Sequence, residues 1–145
     1  MILSKRVALL VMLLGGLGGE AAGQTSRPLA ASDVVGDWSL VITPVNRNGV
    51  DISVESRDGA PSDWPLTIAS EGGNRLSCVI RARPGECRIE NGGLVVVSSS
   101  RAGGATMTFN LSERTTDGLG GTARMRVRLM PFVGGQIGAV RMTRR

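Results

Sequence analysis

The chain has 145 residues, with 17 lysines and arginines against 12 acids, two cysteines, no histidine and 3% aromatic residues. Without histidine it cannot build a histidine-dependent catalytic triad or a common type of zinc shell. Its single lysine is Lys5, and the use of arginine in place of lysine indicates a codon bias as much as a binding site. We therefore expect no nucleic-acid partner despite the positive charge.

Residues 1–23 have the layout of a secretory signal peptide. A basic pair precedes the apolar run Val7–Leu14, and small residues at Ala21 and Gly23 favour cleavage before Gln24. An uncleaved anchor is the alternative, but a membrane span normally needs about 18 or more apolar residues. The pattern predicts export to the periplasm or beyond the cell, with no membrane span after signal cleavage.

The exported portion is short enough to form a single domain. Residues 24–33 are predicted to be a flexible N-terminal segment, and residues 34–145 a single folded domain. One helical turn is predicted at "SDVV", with Ser32 as a candidate N-cap.

Apolar and polar residues alternate with period two through most of the domain, which is typical of half-buried strands. Turn sequences rich in glycine, Asn-Gly and Asp-Gly separate these segments and favour tight hairpins. The residues predicted to face inward are Trp38, Leu40, Ile42, Val50, Ile52, Val54, Leu66, Ile68, Leu76, Cys78, Ile80, Cys87, Ile89, Met107, Phe109, Leu111, Ala123, Met125, Val127 and Leu129.

The two cysteines lie nine positions apart in "LSCVIRARPGECRIE". A turn at "ARPG" would place Cys78 directly opposite Cys87, at a distance that a disulfide can bridge. An exported chain meets an oxidising compartment, so we expect this disulfide. A redox pair or a metal site is the alternative, but the spacing suits neither.

Eight or nine strands with one apolar face must close or stack, because open sheet edges invite aggregation. The expected fold is therefore all-β, a single antiparallel up-and-down β-barrel of about eight or nine strands, and we expect a monomer. An outer-membrane barrel is disfavoured, because the chain has no tyrosine and few other aromatic residues for the interfacial girdles. Arg124, Arg126 and Arg128 alternate with apolar residues and are interpreted as the solvated face of a strand.

Gly36, Asp37 and Trp38 form a G-x-W motif at the start of the first strand. Together with "DGLGGTA" and the terminal "MTRR", it resembles small exported bacterial modules of the lipocalin or calycin type. The resemblance implies that Trp38 packs across the closed end of the barrel. It also implies that an arginine of the last strand, Arg141, Arg144 or Arg145, stacks on this indole in a structural role.

Catalysis is not expected, because the chain lacks the usual bases that activate serine or cysteine nucleophiles. The acids fall mostly in turns or at outward positions. The glycine-rich segments precede strands rather than helices, so they do not form a phosphate cradle. We therefore predict no catalytic residues, no metal site and no cofactor.

Two functional hypotheses remain. In the first, the barrel is a non-enzymatic module that binds an unknown small ligand or an envelope protein, with Trp64 and Phe109 as candidate contacts. Its cavity, lined by these residues with Met107 and Leu129, is predicted to be small. In the second, the protein resembles a family of bacterial metalloprotease inhibitors, and Gln24–Asp33 enters the protease cleft.

Overall fold

A computed structural model describes residues 27–44, 63–100, 103–130 and 134–145. Over these ranges the protein consists of one helical turn followed by eight strands. The elements are α1 (Ala31–Val34), β1 (Gly36–Pro44), β2 (Asp63–Ser70), β3 (Leu76–Ile80), β4 (Arg83–Glu90), β5 (Gly93–Ser99), β6 (Ala105–Arg114), β7 (Gly118–Val127) and β8 (Gly134–Arg144).

The strands form one closed antiparallel barrel in sequence order. Each strand pairs with the next, and β8 closes the sheet by pairing with β1 from Trp38↔Arg144 to Pro44↔Gly138. The predicted all-β, up-and-down barrel is confirmed, with eight strands. The strand predicted around Val50, Ile52 and Val54 lies outside the described residues.

The barrel has two chemically different ends. The connections that follow β2, β4 and β6 meet at one end, where α1 covers the interior, and we call this the capped end. The connections that follow β1, β3, β5 and β7 meet at the other, which we call the open end. Leu29 and Val34 are buried at the capped end, and the Leu29 amide donates to the Gly92 carbonyl.

Alternate residues of the strands fill the interior, as the period of two predicts. The largest fully buried side chains are Phe109, Leu40, Ile42, Leu66, Ile68, Ile80, Leu94, Leu111, Ile137, Met142, Val34 and Val96. The prediction that Leu129 faces inward is wrong. Strand β7 ends at Val127, the Arg128 amide donates to the Gly104 carbonyl, and Leu129 lies exposed in the following loop.

A disulfide joins Cys78 and Cys87, whose Cα atoms lie 5.9 Å apart, but the predicted register is wrong. Cys78 pairs with Gly85 rather than with Cys87, because the chain turns at Arg81 and Ala82, one residue earlier than predicted. The register therefore shifts by two residues. Because the side-chain period is also two, both cysteines still face the interior and the bridge runs diagonally.

Helix α1 is a single turn whose first residue differs from the prediction. Its N-cap is Ala30 rather than Ser32, and the Asp33 carboxylate accepts a hydrogen bond of 2.9 Å from the Ala30 amide. The Trp38 indole Nε1 donates to the Val34 carbonyl over 2.7 Å, which ties the turn to β1. None of the helical structure in the described ranges is long and apolar enough to cross a membrane.

Candidate functional site

The capped end is organised around Trp38. The Arg144 Cζ atom lies 4.2 Å from the centroid of the Trp38 ring, and the guanidinium also donates to the carbonyls of Val35 and Asp33. Gly36 has a φ of +131°, and a Cβ atom there would lie 2.7 Å from Arg144 Nη1. The glycine of the G-x-W motif therefore leaves room for the arginine that stacks on the tryptophan.

The other two arginines proposed for this stacking lie elsewhere. Arg141 donates to Asp117 over 2.8 Å, and Arg145 donates to Asp63 over 2.8 Å. Both pairs are solvent-exposed. Exposed ion pairs contribute little to stability, so Arg141 and Arg145 are secondary to Arg144 at this end.

At the capped end, Asp33 forms ion pairs with two arginines and accepts a backbone hydrogen bond. Its pKa lies below the ordinary value of 3.8, mainly because its carboxylate accepts the Ala30 amide hydrogen bond and also because Arg27 and Arg114 lie beside it. The pKa of Asp117 is lowered as well, chiefly by the hydrogen bond from Arg141. These carboxylates are anchors that stay ionised, and a group held ionised is a poor proton donor at neutral pH.

A small cavity opens at the open end of the barrel, with a volume of about 260 Å³. Apolar and polar groups share its wall, with two arginines and three serines on the polar side. The lining residues are Trp64, Ile80, Arg81, Arg83, Ser98, Ser99, Ser100, Ala105 and Met107. These described lining residues include no carboxylate, so the wall offers positive charge, hydroxyl groups and apolar surface.

Trp64 forms the aromatic wall of this cavity. Its ring packs edge-on against Phe109, with centroids 5.6 Å apart and planes at 70°. On the other side, the Arg81 Cζ atom lies 4.6 Å from the Trp64 ring centroid. The two predicted contact residues are thus neighbours, but Phe109 is fully buried and supports Trp64 without lining the cavity. Met107 lines the cavity as predicted, whereas Leu129 does not.

Sequence reasoning missed Arg81 and Arg83. Arg81 is the first residue of the two-residue turn between β3 and β4, and Arg83 is the first residue of β4. Arg81 and Ala82 have φ values of 50° and 61°. Non-glycine residues rarely adopt this left-handed conformation, and it marks strain that the surroundings must hold in place. The Arg81 amide donates to the Pro65 carbonyl over 2.9 Å, which fixes the turn beside Trp64. The signal in the sequence is "IRAR", two arginines around a predicted turn.

The arginines of β7 lie on the outer surface of the barrel. Arg124 and Arg126 pair with Thr108 and Thr106 of β6, and both are exposed, as is Arg128. No group of three or more histidine, cysteine, aspartate or glutamate residues in the described parts of the chain is arranged to hold a metal ion. The open-end cavity is smaller but more enclosed than the surface grooves beside Arg124 and Arg126 and beside Trp38, so it is the candidate ligand site.

The chain matches no protein-family model and no curated protein sequence to which it was compared. The capped end is closed by packing and hydrogen bonds, and the open end carries a cavity with positive charge.

Proposed function

We propose that the protein is an exported, non-enzymatic binding module that holds a small amphiphile with one anionic group in its open-end cavity. The observation that carries this proposal is the placement of Arg81 over Trp64 at the rim of the cavity. A guanidinium recognises carboxylate or phosphate by paired hydrogen bonds, and the indole beside it offers an apolar wall. The cavity thus joins one anion site to one apolar site.

The strained turn between β3 and β4 supports a binding role for Arg81. An ordinary hairpin of this length would use Asn-Gly or a similar pair, which adopts positive φ at lower cost. Here Arg81 itself occupies a left-handed position, at φ 50°. Strain of this kind clusters at ligand-binding positions, because the conformation fixes where a side chain is presented.

The size and wall of the cavity limit the ligand. At about 260 Å³ it lies near the lower end of the roughly 300–1,000 Å³ typical of pockets for drug-sized ligands. The ligand is therefore small, or part of it remains outside the barrel. The described lining residues supply two arginines, three serines and apolar groups, a set that suits binding of an anionic amphiphile.

The lipocalin-like assignment and the export of the protein belong to the same proposal. The closed antiparallel barrel and the stacking of Arg144 on Trp38, beside Gly36, support the first. The disulfide supports the second, since such bonds persist in oxidising compartments. The predicted signal peptide, residues 1–23, lies outside the described residues.

Calorimetric titration with octanoate tests the proposed ligand class. We expect Arg81→Gln to weaken octanoate binding by about 10-fold or more, because a charge-assisted hydrogen bond is lost. The matched control is Arg75→Gln, an exposed arginine in the hairpin of the capped end, which should bind octanoate normally. Octanol, which has the same chain without the charge, should bind more weakly to the native protein. Equal affinity for octanol and octanoate would contradict the proposal.

Protease inhibition through Gln24–Asp33 has less support. Leu29 and Ala31 of this segment are buried, and Arg114 donates to the Arg27 carbonyl and to Asp33. A segment that enters a protease cleft would have to give up these contacts. An assay of the full chain against metalloproteases tests this alternative directly, and nanomolar inhibition would place it ahead of ligand binding.

A further inference from the structure

The loop that follows β7 presents apolar side chains to solvent at the open end. Leu129 is 88% exposed and Met130 is 56% exposed, and Val79 is the other large hydrophobic residue that is exposed in the described part of the chain. Unlike Val79, which lies within β3, these two residues are adjacent in the loop that follows β7, and we call the pair the apolar tip. Burying such side chains in an apolar phase is favourable, so their exposure marks a surface that can bind an apolar partner.

Exposed arginines precede this apolar tip in the chain. Arg124 and Arg126 are exposed on β7 and Arg128 directly precedes Leu129, while Arg81 and Arg83 lie at the same end of the barrel in the β3–β4 hairpin. None of these arginines pairs with an acid in the described ranges, where the ion pairs involve Asp33, Asp63, Glu90 and Asp117.

The distribution of acids reinforces this asymmetry. Two of the paired acids, Asp33 and Asp117, belong to the capped end, and Asp63 at the start of β2 is paired with Arg145. The described residues of the loop after β7 contain no acid, so they combine two exposed apolar side chains with the positive charge of Arg128.

We propose that the open end docks on the surface of an anionic lipid bilayer. Leu129 and Met130 insert among the lipid headgroups, while Arg126 and Arg128 reach the phosphates. Interfacial binding of this kind scales with buried apolar area and with attraction to anionic lipids, and the long stems of arginine allow the charge to stay at the headgroup level. Docking is independent of whether the cavity holds the proposed ligand.

The shape of the surface favours a bilayer over the other partners that its charge would attract. A polysaccharide or nucleic acid would engage the arginines and leave Leu129 and Met130 in water. A protein partner would need a flat or concave apolar patch, whereas the apolar tip consists of two adjacent exposed side chains in a loop. A fluid headgroup layer accepts such side chains without shape complementarity.

Sedimentation with vesicles tests the proposal. The probes are vesicles of phosphatidylcholine containing phosphatidylglycerol, and vesicles of phosphatidylcholine alone. Each arginine near an anionic surface contributes about fivefold to partitioning. We therefore expect the double variant Arg126→Gln/Arg128→Gln to lose about 25-fold on anionic vesicles and to change little on neutral ones. Replacing Leu129 and Met130 by serine should lower binding to anionic vesicles by about 10-fold.

Matched variants separate the tip from the rest of the chain. Arg75→Gln removes an exposed arginine of the capped end, and Val79→Ser removes an exposed apolar residue of β3 outside the loop that follows β7, so both should bind as the native protein does. The full chain is used throughout, so the N-terminal residues contribute equally to every variant. Anionic-vesicle binding that survives the serine substitutions would overturn the proposal.

A reporter at the tip gives a second, local readout. The variant Leu129→Trp should show a blue-shifted emission with anionic vesicles, and quenching by lipids with brominated chains. Emission that stays unchanged while the protein sediments with the vesicles would overturn insertion at this loop. Binding to heparin that matches vesicle binding and is unaffected by the loss of Leu129 and Met130 would assign the arginines to a polyanion instead.

Discussion

At the scale of single residues, the capped end depends on the fit of one guanidinium between backbone and indole. Arg144 stacks on Trp38 and donates to two carbonyls of the segment that covers the barrel. Gly36 lies beside it, with no Cβ in the space that the guanidinium occupies. Stacking of this kind contributes about 0.5–2 kcal/mol, which would stabilise the closure of this end.

A double-mutant cycle tests this fit. We expect Arg144→Gln to lower the free energy of unfolding by about 1–2 kcal/mol, through loss of stacking and hydrogen bonds. Gly36→Ala should cost about 2–3 kcal/mol, because it adds a Cβ at positive φ and displaces the guanidinium. In the double variant the added methyl group has no guanidinium to displace, so the total loss of stability should be smaller than the sum of the two single losses. We expect a coupling energy of about 0.5–1.5 kcal/mol, measured by urea unfolding. Additive losses would show that only backbone strain matters at Gly36.

The pH dependence of stability tests the anchoring of Asp33. Because its folded-state pKa is lowered, chiefly by the Ala30 amide and then by Arg27 and Arg114, the ionised carboxylate stabilises the fold. This stabilisation is complete above the unfolded pKa near 3.8 and is lost as the pH falls through the lower folded-state value. The difference in melting temperature between the native protein and Asp33→Asn should shrink as the pH falls below 3.8. A difference that is constant across this window would contradict the assignment.

At the scale of strands, glycines of β7 allow close approach of neighbouring backbones. A Cβ at Gly121 would overlap the Asn110 carbonyl of β6, and one at Gly118 would overlap the Met142 carbonyl of β8. At Gly120, in contrast, the nearest atoms would be 3.6 Å away, an ordinary contact. The segment "GLGG" therefore has a packing role at particular positions, in addition to the turn role expected from its composition.

Alanine substitutions at two neighbouring positions of this segment should lower the stability by very different amounts. We expect Gly121→Ala to lower the free energy of unfolding by about 3 kcal/mol or more, since backbone must move to admit the methyl group. Gly120→Ala is the matched control one residue away and should change stability by less than about 1 kcal/mol. Urea unfolding of both variants provides the measurement, and equal losses would show that glycine matters here only for chain entropy.

Sequence patterns predicted the elements better than their registers. The alternation that leads from Trp38 to Ile42 and from Met107 to Leu111 identifies strands and their buried faces, because the period of two is a local property. The pairing of Cys78 depends instead on where the hairpin turns. The turn residues are Arg81 and Ala82, and neither is among the glycine, asparagine and aspartate residues that usually form such turns. Leu129 was misassigned for a related reason, since alternation cannot show where a strand ends.

The candidate site was harder to predict, because it is assembled from separate hairpins. Trp64 and Met107 could be named from the sequence as apolar residues of the interior. Arg81 reaches the Trp64 ring through contact between β2 and the turn after β3, which no local pattern encodes. The serines of β5 look like ordinary polar residues until barrel closure brings Ser98 to the same cavity.

At the scale of the whole molecule, barrel closure gives the protein two ends with different chemistry. At the capped end, Trp38 is buried and its indole nitrogen donates a hydrogen bond to the Val34 carbonyl. The open end leaves Trp64 half-buried beside a cavity and beneath Arg81. The chain has two tryptophans, so each reports on one end.

Nuclear magnetic resonance of the two indole N–H groups during titration with octanoate tests this division most directly. We expect the Trp64 signal to shift in a saturable way, the Trp38 signal to stay in place, and Arg81→Gln to weaken the Trp64 response. A saturable shift of Trp38 with Trp64 unmoved, or no saturable shift of either, would contradict the assignment of ligand binding to the open end.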